Sequence, residues 1–167
     1  MAGAISLSAN NDTSEHIEQL WREVGRFESA PSMSSLNYPP HLTFAIYQQI
    51  EVLLLQDAVD HVFRDVTPLS LTFDGTRSFD ASPQSQSDLL QLHAAIHKRI
   101  NPIGCHEHYQ PDSWVPHCTL GAQITDSRRD EALEFAGKRI EPFNVVFDRV
   151  DCISFPPLQV VSSLKLG

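Results

Sequence analysis

Positive charge is scarce in this chain of 167 residues: 12 Lys and Arg stand against 21 Asp and Glu, for a net charge of -9. Affinity for long nucleic acids comes largely from cationic side chains neutralising backbone phosphates, so this balance weighs against that class of partner. A small nucleotide or an RNA end remains compatible. The basic residues come as pairs, Lys98-Arg99, Arg128-Arg129 and Lys138-Arg139, which read as solvated helix surface. Long apolar runs are also missing, and none approaches the roughly 20 residues that cross a bilayer. The opening Met-Ala-Gly-Ala-Ile-Ser-Leu lacks a basic segment followed by a long apolar one, so a soluble cytoplasmic protein without a membrane partner is expected. Only three cysteines occur, Cys105, Cys118 and Cys152. An odd number without paired spacing argues against a disulfide framework and for small buried hydrophobes in a reducing compartment. There is no Gly-rich phosphate loop and no Ser-His-Asp signature.

What is present suits one domain, expected over 1–167 and as a monomer: a hydrophobic fraction of 41% and a charged fraction of 20% are those of an ordinary globular protein. Apolar periodicity predicts a strand at 4–9, a helix over 13–28 and a strand at 41–47. A helix over 49–65 and a strand on Leu69, Leu71 and Phe73 follow. Ser85-Gln86-Ser87-Asp88 resembles a capping box before a helix ended by Asn101-Pro102, and 101–116 is a loop. A strand at 117–124, a helix near 126–140 with Leu133, Ala136 and Ile140 on one side, and strands at 143–155 and 158–166 complete the order. Two similar halves are suggested.

Each half carries the same short pattern, Pro-His-Leu-Thr-Phe at Pro40 to Phe44 and Pro-His-Cys-Thr-Leu at Pro116 to Leu120. At the two-residue period of a strand, His and Thr at i and i+2 share a face opposite the apolar residues. Two such strands side by side would line one cleft with His41, His117, Thr43 and Thr119. Opening a phosphodiester needs a base for water, an acid for the leaving oxygen and donors for the phosphoryl oxygens. One neutral and one protonated imidazole supply the first two near neutral pH, and threonine hydroxyls supply the third without a metal ion or other cofactor.

The rival constellation is Cys105-His106-Glu107-His108 followed by His117-Cys118, all good metal ligands, although neighbours on a strand point to opposite faces. His93 and His97 have the i, i+4 spacing that could bind metal, or else form a helix flank. Tyr38, Tyr47, Tyr109 and Trp114 lie near the motifs. Of these, Tyr109 and Trp114 on the long loop are the candidates for contact with substrate by stacking on a base.

The chain resembles the 2H phosphoesterases, which include 2'-5' RNA ligase-like proteins and cyclic nucleotide phosphodiesterases. Their mark is two His-x-Thr/Ser-hydrophobic motifs, matched by His41-Leu42-Thr43-Phe44 and His117-Cys118-Thr119-Leu120. The resemblance implies a two-lobed, pseudo-symmetric α+β fold, with antiparallel sheets lining a central cleft and helices packed outside. It also implies metal-independent action on a 2',3'-cyclic phosphate or a 2'-5' linkage of a nucleotide or RNA end. The alternatives are a non-catalytic module holding such an end in the same cleft, or a metal-dependent hydrolase using the Cys105 to His117 region. One departure stands out: Asp-Ala-Ser-Pro-Gln-Ser-Gln-Ser-Asp occupies 80–88, where family members commonly place another apolar strand, so that lobe is expected to be trimmed.

Overall fold

Leu42 and Phe44 are fully buried while His41 and Thr43 are half-buried, the alternation by which a strand puts one face on a core. This strand, β2 (His41–Tyr47), lies antiparallel to β1 (Ala2–Ala9), and β1 lies antiparallel to the long strand β6 (Phe143–Phe155). The structure is a computed structural model that describes residues 1–77, 80–138 and 140–167. Phe79, next to the departing segment, and Arg139 of the Lys138-Arg139 pair lie outside the described residues.

β6 organises the fold because its second edge is shared. β7 (Gln159–Lys165) pairs with Arg149 to Ser154, and β3 (Leu69–Arg77) pairs with Phe143 to Phe147. β4 (Asp80–Pro83) and β5 (Cys118–Thr119) continue from β3, giving the order β2-β1-β6-β3-β4-β5 with β7 beside β6. The two expected sheets are therefore one antiparallel sheet, divided into two lobes where β6 changes partner. It curls into a half-barrel with helices outside, and its two end strands, β2 and β5, come into contact.

The helices bury the faces that their periodicity marks. α1 (Glu15–Gly25) buries Ile17, Leu20, Trp21 and Val24; α2 (Val52–Phe63) buries Leu55, Ala58, Val59 and Phe63. The Phe63 ring packs 5.6 Å from that of Phe44. Three local expectations are corrected. Residues 80–88 do not lack a strand, since Asp80–Pro83 pairs with β3 and β5; two ladder neighbours impose the extended form despite a polar composition. Gln86 rather than Ser85 precedes α3 (Ser87–Arg99), with no side-chain cap. The last helix, α4 (Arg129–Ala136), follows a 3-10 turn at Asp126–Arg128, whose tighter winding rotates the helical phase. It buries Ala132 and Ala136 and leaves Leu133 exposed.

His93 and His97 lie inside the fold rather than on a helix flank. Both are buried on α3, and both Nε2 atoms donate at 2.9 Å to the backbone carbonyl of Tyr109, tying the long loop to the helix. Burial holds both imidazoles below their ordinary value, and with the neighbouring His93 it brings His97 down to about 4. The unfolded chain, with ordinary values of 6.5, binds more protons than the folded one below that pH. The neutral pair's stabilisation is thus complete above about pH 6.5 and lost as pH falls toward 4. The urea midpoint should drop between about pH 7.5 and pH 5, and His97→Gln should flatten that dependence. Parallel pH curves for wild type and variant would contradict it.

Candidate functional site

The two motif histidines are held alike. His41 Nδ1 lies 2.9 Å from the carbonyl of Pro39, and His117 Nδ1 lies 2.7 Å from that of Val115. A carbonyl only accepts, so Nδ1 carries the hydrogen in both rings and each Nε2 is left free for chemistry. The threonines are held alike too. The Trp114 indole N–H donates at 2.9 Å to the carbonyl of Thr43, and the Trp21 indole N–H donates at 2.9 Å to that of Thr119. A buried tryptophan from outside the strand thus braces each motif.

Register decides what surrounds them. Ser8 lies opposite His41 and Ser6 opposite Thr43 on β1; Arg149 and Asp151 stand opposite these serines on β6. Directly opposed residues share a face, so beneath the first motif this face is polar. The hydroxyls of Ser6 and Thr43 are 3.1 Å apart. Asp151 is 3% exposed and accepts from Tyr38 Oη at 2.6 Å and Ser8 Oγ at 2.9 Å. The Tyr38 ring meets His41 edge-on, centroids 4.9 Å apart. In the other lobe Asp80 stands opposite Thr119 and therefore faces the same way as His117.

Burial acts on His41 and on Asp80. Burial keeps His41 below its ordinary value, assisted by the charge of the nearby His117 and opposed by the Pro39 carbonyl and Asp151. Burial also pushes the Asp80 carboxyl up, while His117 and the Thr119 hydroxyl favour its charged form. Desolvation of Cys118, on the opposite face of β5, pushes its thiol up to about 12, which makes it an inert apolar residue rather than a ligand or nucleophile.

Trp114 is 5% exposed and stacks on His93 with ring centroids 4.3 Å apart. It has no open face for a base, which corrects its assignment to substrate contact: its role is to hold Thr43. Tyr109 is half-buried, and burial, followed by the charge of Asp80, pushes its hydroxyl up to about 12. In the rival loop Cys105 is buried against Tyr47, whereas His106 and His108 are exposed with His106 Nδ1 accepting from the His108 N–H. Among the described residues no three His, Cys, Asp or Glu side chains converge as a metal site.

Sequence reasoning missed Asp80, Asp151, Trp21 and Ser6. Asp80 had a signal, as a carboxylate followed by a run of uncharged residues, but β5, the strand that sets it opposite Thr119, lies far along the chain. Trp21 falls at helical spacing with Ile17, Leu20 and Val24 within the predicted helix 13–28, which marks it as one member of an apolar face and nothing more. After β5 the chain turns so close to α1 that a Cβ on Gly121 would sit 2.6 Å from Val24 Cγ1, so only glycine lets this strand reach the indole.

Comparison with known families gives a match to the 2'-5' RNA ligase superfamily over residues 13–156. The chain belongs to that superfamily. Its phosphoesterase fold is shared by solved structures at low identity. E. coli LigT complexed with 3'-AMP superposes with a TM-score of 0.61 at 16% identity, covering 98% of this chain and 97% of that one. A protein described as a phosphoesterase gives 0.60 at 18% identity with the same coverage. E. coli LigT complexed with NADP+ gives 0.59 at 15%, covering 98% and 96%. Comparison with curated protein sequences finds no match. No helix among the described residues is long and apolar enough to cross a membrane.

Proposed function

We propose that this superfamily member hydrolyses a 2',3'-cyclic phosphate or a 2'-5' phosphodiester on a nucleotide or RNA end, without a metal ion, through His41 and His117. The supporting observation is the matched anchoring of both Nδ1 atoms, which leaves two Nε2 atoms as the reacting positions. Neutral His41 takes a proton from water as the water oxygen bonds to phosphorus. The bond from phosphorus to the ribose oxygen breaks, and protonated His117 gives that oxygen its proton. Thr43 and Thr119 donate to the non-bridging oxygens. Ser6 donates to Thr43 in this scheme, leaving the threonine's hydrogen for the phosphate. Water attack from the His41 side is the orientation favoured by burial, which holds this imidazole below its ordinary value.

Asp80 faces the same way as His117 across the β4–β5 ladder, and a carboxyl there can support the proton that the proposed acid must carry. Asp80→Asn should move the alkaline limb of the rate profile to lower pH with a smaller change at its acid limb. A profile that only scales in height would assign Asp80 to packing. The primary assay is a panel of nucleoside 2',3'-cyclic phosphates and 2'-5' dinucleotides with and without chelator. Turnover that ignores chelator is expected. Binding without turnover would make the chain a nucleotide-holding module, and loss on chelation would overturn the metal-free scheme.

A further inference from the structure

Beside the first motif lies a pocket of about 450 Å³ that the chemistry above does not use. It begins at His41's supports: Pro39, whose carbonyl anchors the imidazole, and Tyr38, whose ring meets it edge-on, both line it. Arg22 and Arg149 enter it from α1 and β6, with Trp21, Asn11 and Asn37 around them and Glu18 as its one carboxylate.

Neither guanidinium makes a hydrogen bond among the described residues. Arg22 is exposed and makes no ion pair among the described residues. Arg149 makes one ion pair among the described residues, with Asp148 at 4.0 Å, too long for a hydrogen bond. Its Nε and the Asp148 Oδ1 are both out of water without a partner among the described residues. A guanidinium with an unsatisfied buried donor, beside a second cation and aromatic and amide side chains, suits a planar anion contact of the kind phosphate provides. In an acidic chain such a cluster cannot serve general attraction. The cross-strand row His41, Ser8, Arg149 sets the distance: two strand spacings put the arginine about 10 Å from the histidine at the backbone, within side-chain reach of a neighbouring phosphate.

We infer that the Arg22–Arg149 pocket is a second subsite, which takes the phosphate on the 5' side of the nucleoside whose cyclic phosphate is opened. The inference rests on the proposed phosphoesterase reading for its orientation and names the substrate class: a 5'-phosphorylated nucleotide or the last linkage of an RNA end, in preference to a bare nucleoside cyclic phosphate.

The test compares adenosine 2',3'-cyclic phosphate with its 5'-phosphorylated counterpart. Wild type should favour the second in kcat/KM by about tenfold or more, the size of one charge-assisted contact. Arg22→Ala and Arg149→Ala should bring that ratio toward one. Arg22 is exposed, so its variant is free of folding effects. A wild-type ratio near one, or a ratio that both variants retain, overturns the subsite. Binding reads it without turnover: adenosine 3',5'-bisphosphate should bind more tightly than adenosine 3'-monophosphate, by a margin that Arg22→Ala removes. If neither cyclic substrate reacts but this margin is seen, the hydrolytic reading fails and the subsite stands. Equal binding of the two nucleotides overturns the subsite whatever the turnover.

Discussion

His41→Ala and His117→Ala should each lower kcat by about 10²–10⁴-fold, the range contributed by one positioned proton transfer. The double variant should lose less than the product of the two effects, because groups acting as a unit are non-additive. Wild type should show a bell-shaped rate profile, since the proposed scheme needs one neutral and one protonated imidazole. Its acid limb should lie at lower pH than an exposed histidine would give, because burial holds the His41 imidazole down. The measurement is kcat and kcat/KM against pH on whichever cyclic phosphate reacts. Near-normal turnover by either alanine variant would reject the two-histidine scheme even though the fold is right. Thr43→Ala and Thr119→Ala should cost less, roughly the 1.5–3 kcal/mol of a hydrogen bond to a charged group.

The second large effect concerns Trp114, and it lies mostly in stability. The side chain packs on Phe44 and His93, with ring centroids 5.2 and 4.3 Å away, and its N–H is satisfied by the Thr43 carbonyl. Trp114→Ala should destabilise the fold by about 3–5 kcal/mol, the usual range for emptying a buried aromatic site. Urea denaturation would measure it, and a loss below about 1 kcal/mol would mean the pocket collapses without harm. Trp114→Phe separates the two roles: it retains most of the packing and deletes the donor that braces Thr43. Its stability loss should be near the roughly 1 kcal/mol of one neutral hydrogen bond, and the drop in kcat should be proportionally greater.

The motifs were the most legible part of the chain because both pieces of information they carry are local. Pro-His-x-Thr-apolar states its own alternation, and Leu42, Phe44, Cys118 and Leu120 are buried as the two-residue period requires. The strongly periodic helix around Ile17 to Val24 was equally plain. Non-local pairing was not. Asp80–Pro83 has a turn-like composition and is extended only because β3 and β5 flank it. The predicted strand 117–124 shrinks to Cys118–Thr119, since only β4 pairs with it and the chain turns away at Gly121. Trp114 and Trp21 mirror each other across the molecule, yet one sits on a loop and the other on a helix, so no spacing in the sequence relates them. His93 and His97 resembled a metal pair because i, i+4 geometry says that two rings meet but not what they meet.

β2 and β5 close the site from the two ends of one strand path, and an end strand ordinarily presents a row of unpaired N–H and C=O groups that recruits other chains. Here the outer edge of β2 is occupied by the loop: the His106 N–H donates to the Ile46 carbonyl at 2.8 Å, and the Trp114 indole takes Thr43. The Trp21 indole does the same for β5. The contacts that orient the two motifs are therefore also the ones that keep the sheet from growing into its neighbours. On the proposed mechanism, loss of activity and gain of aggregation are one structural event: whatever lifts the 101–116 loop from β2 disorients Thr43 and bares a sticky edge together.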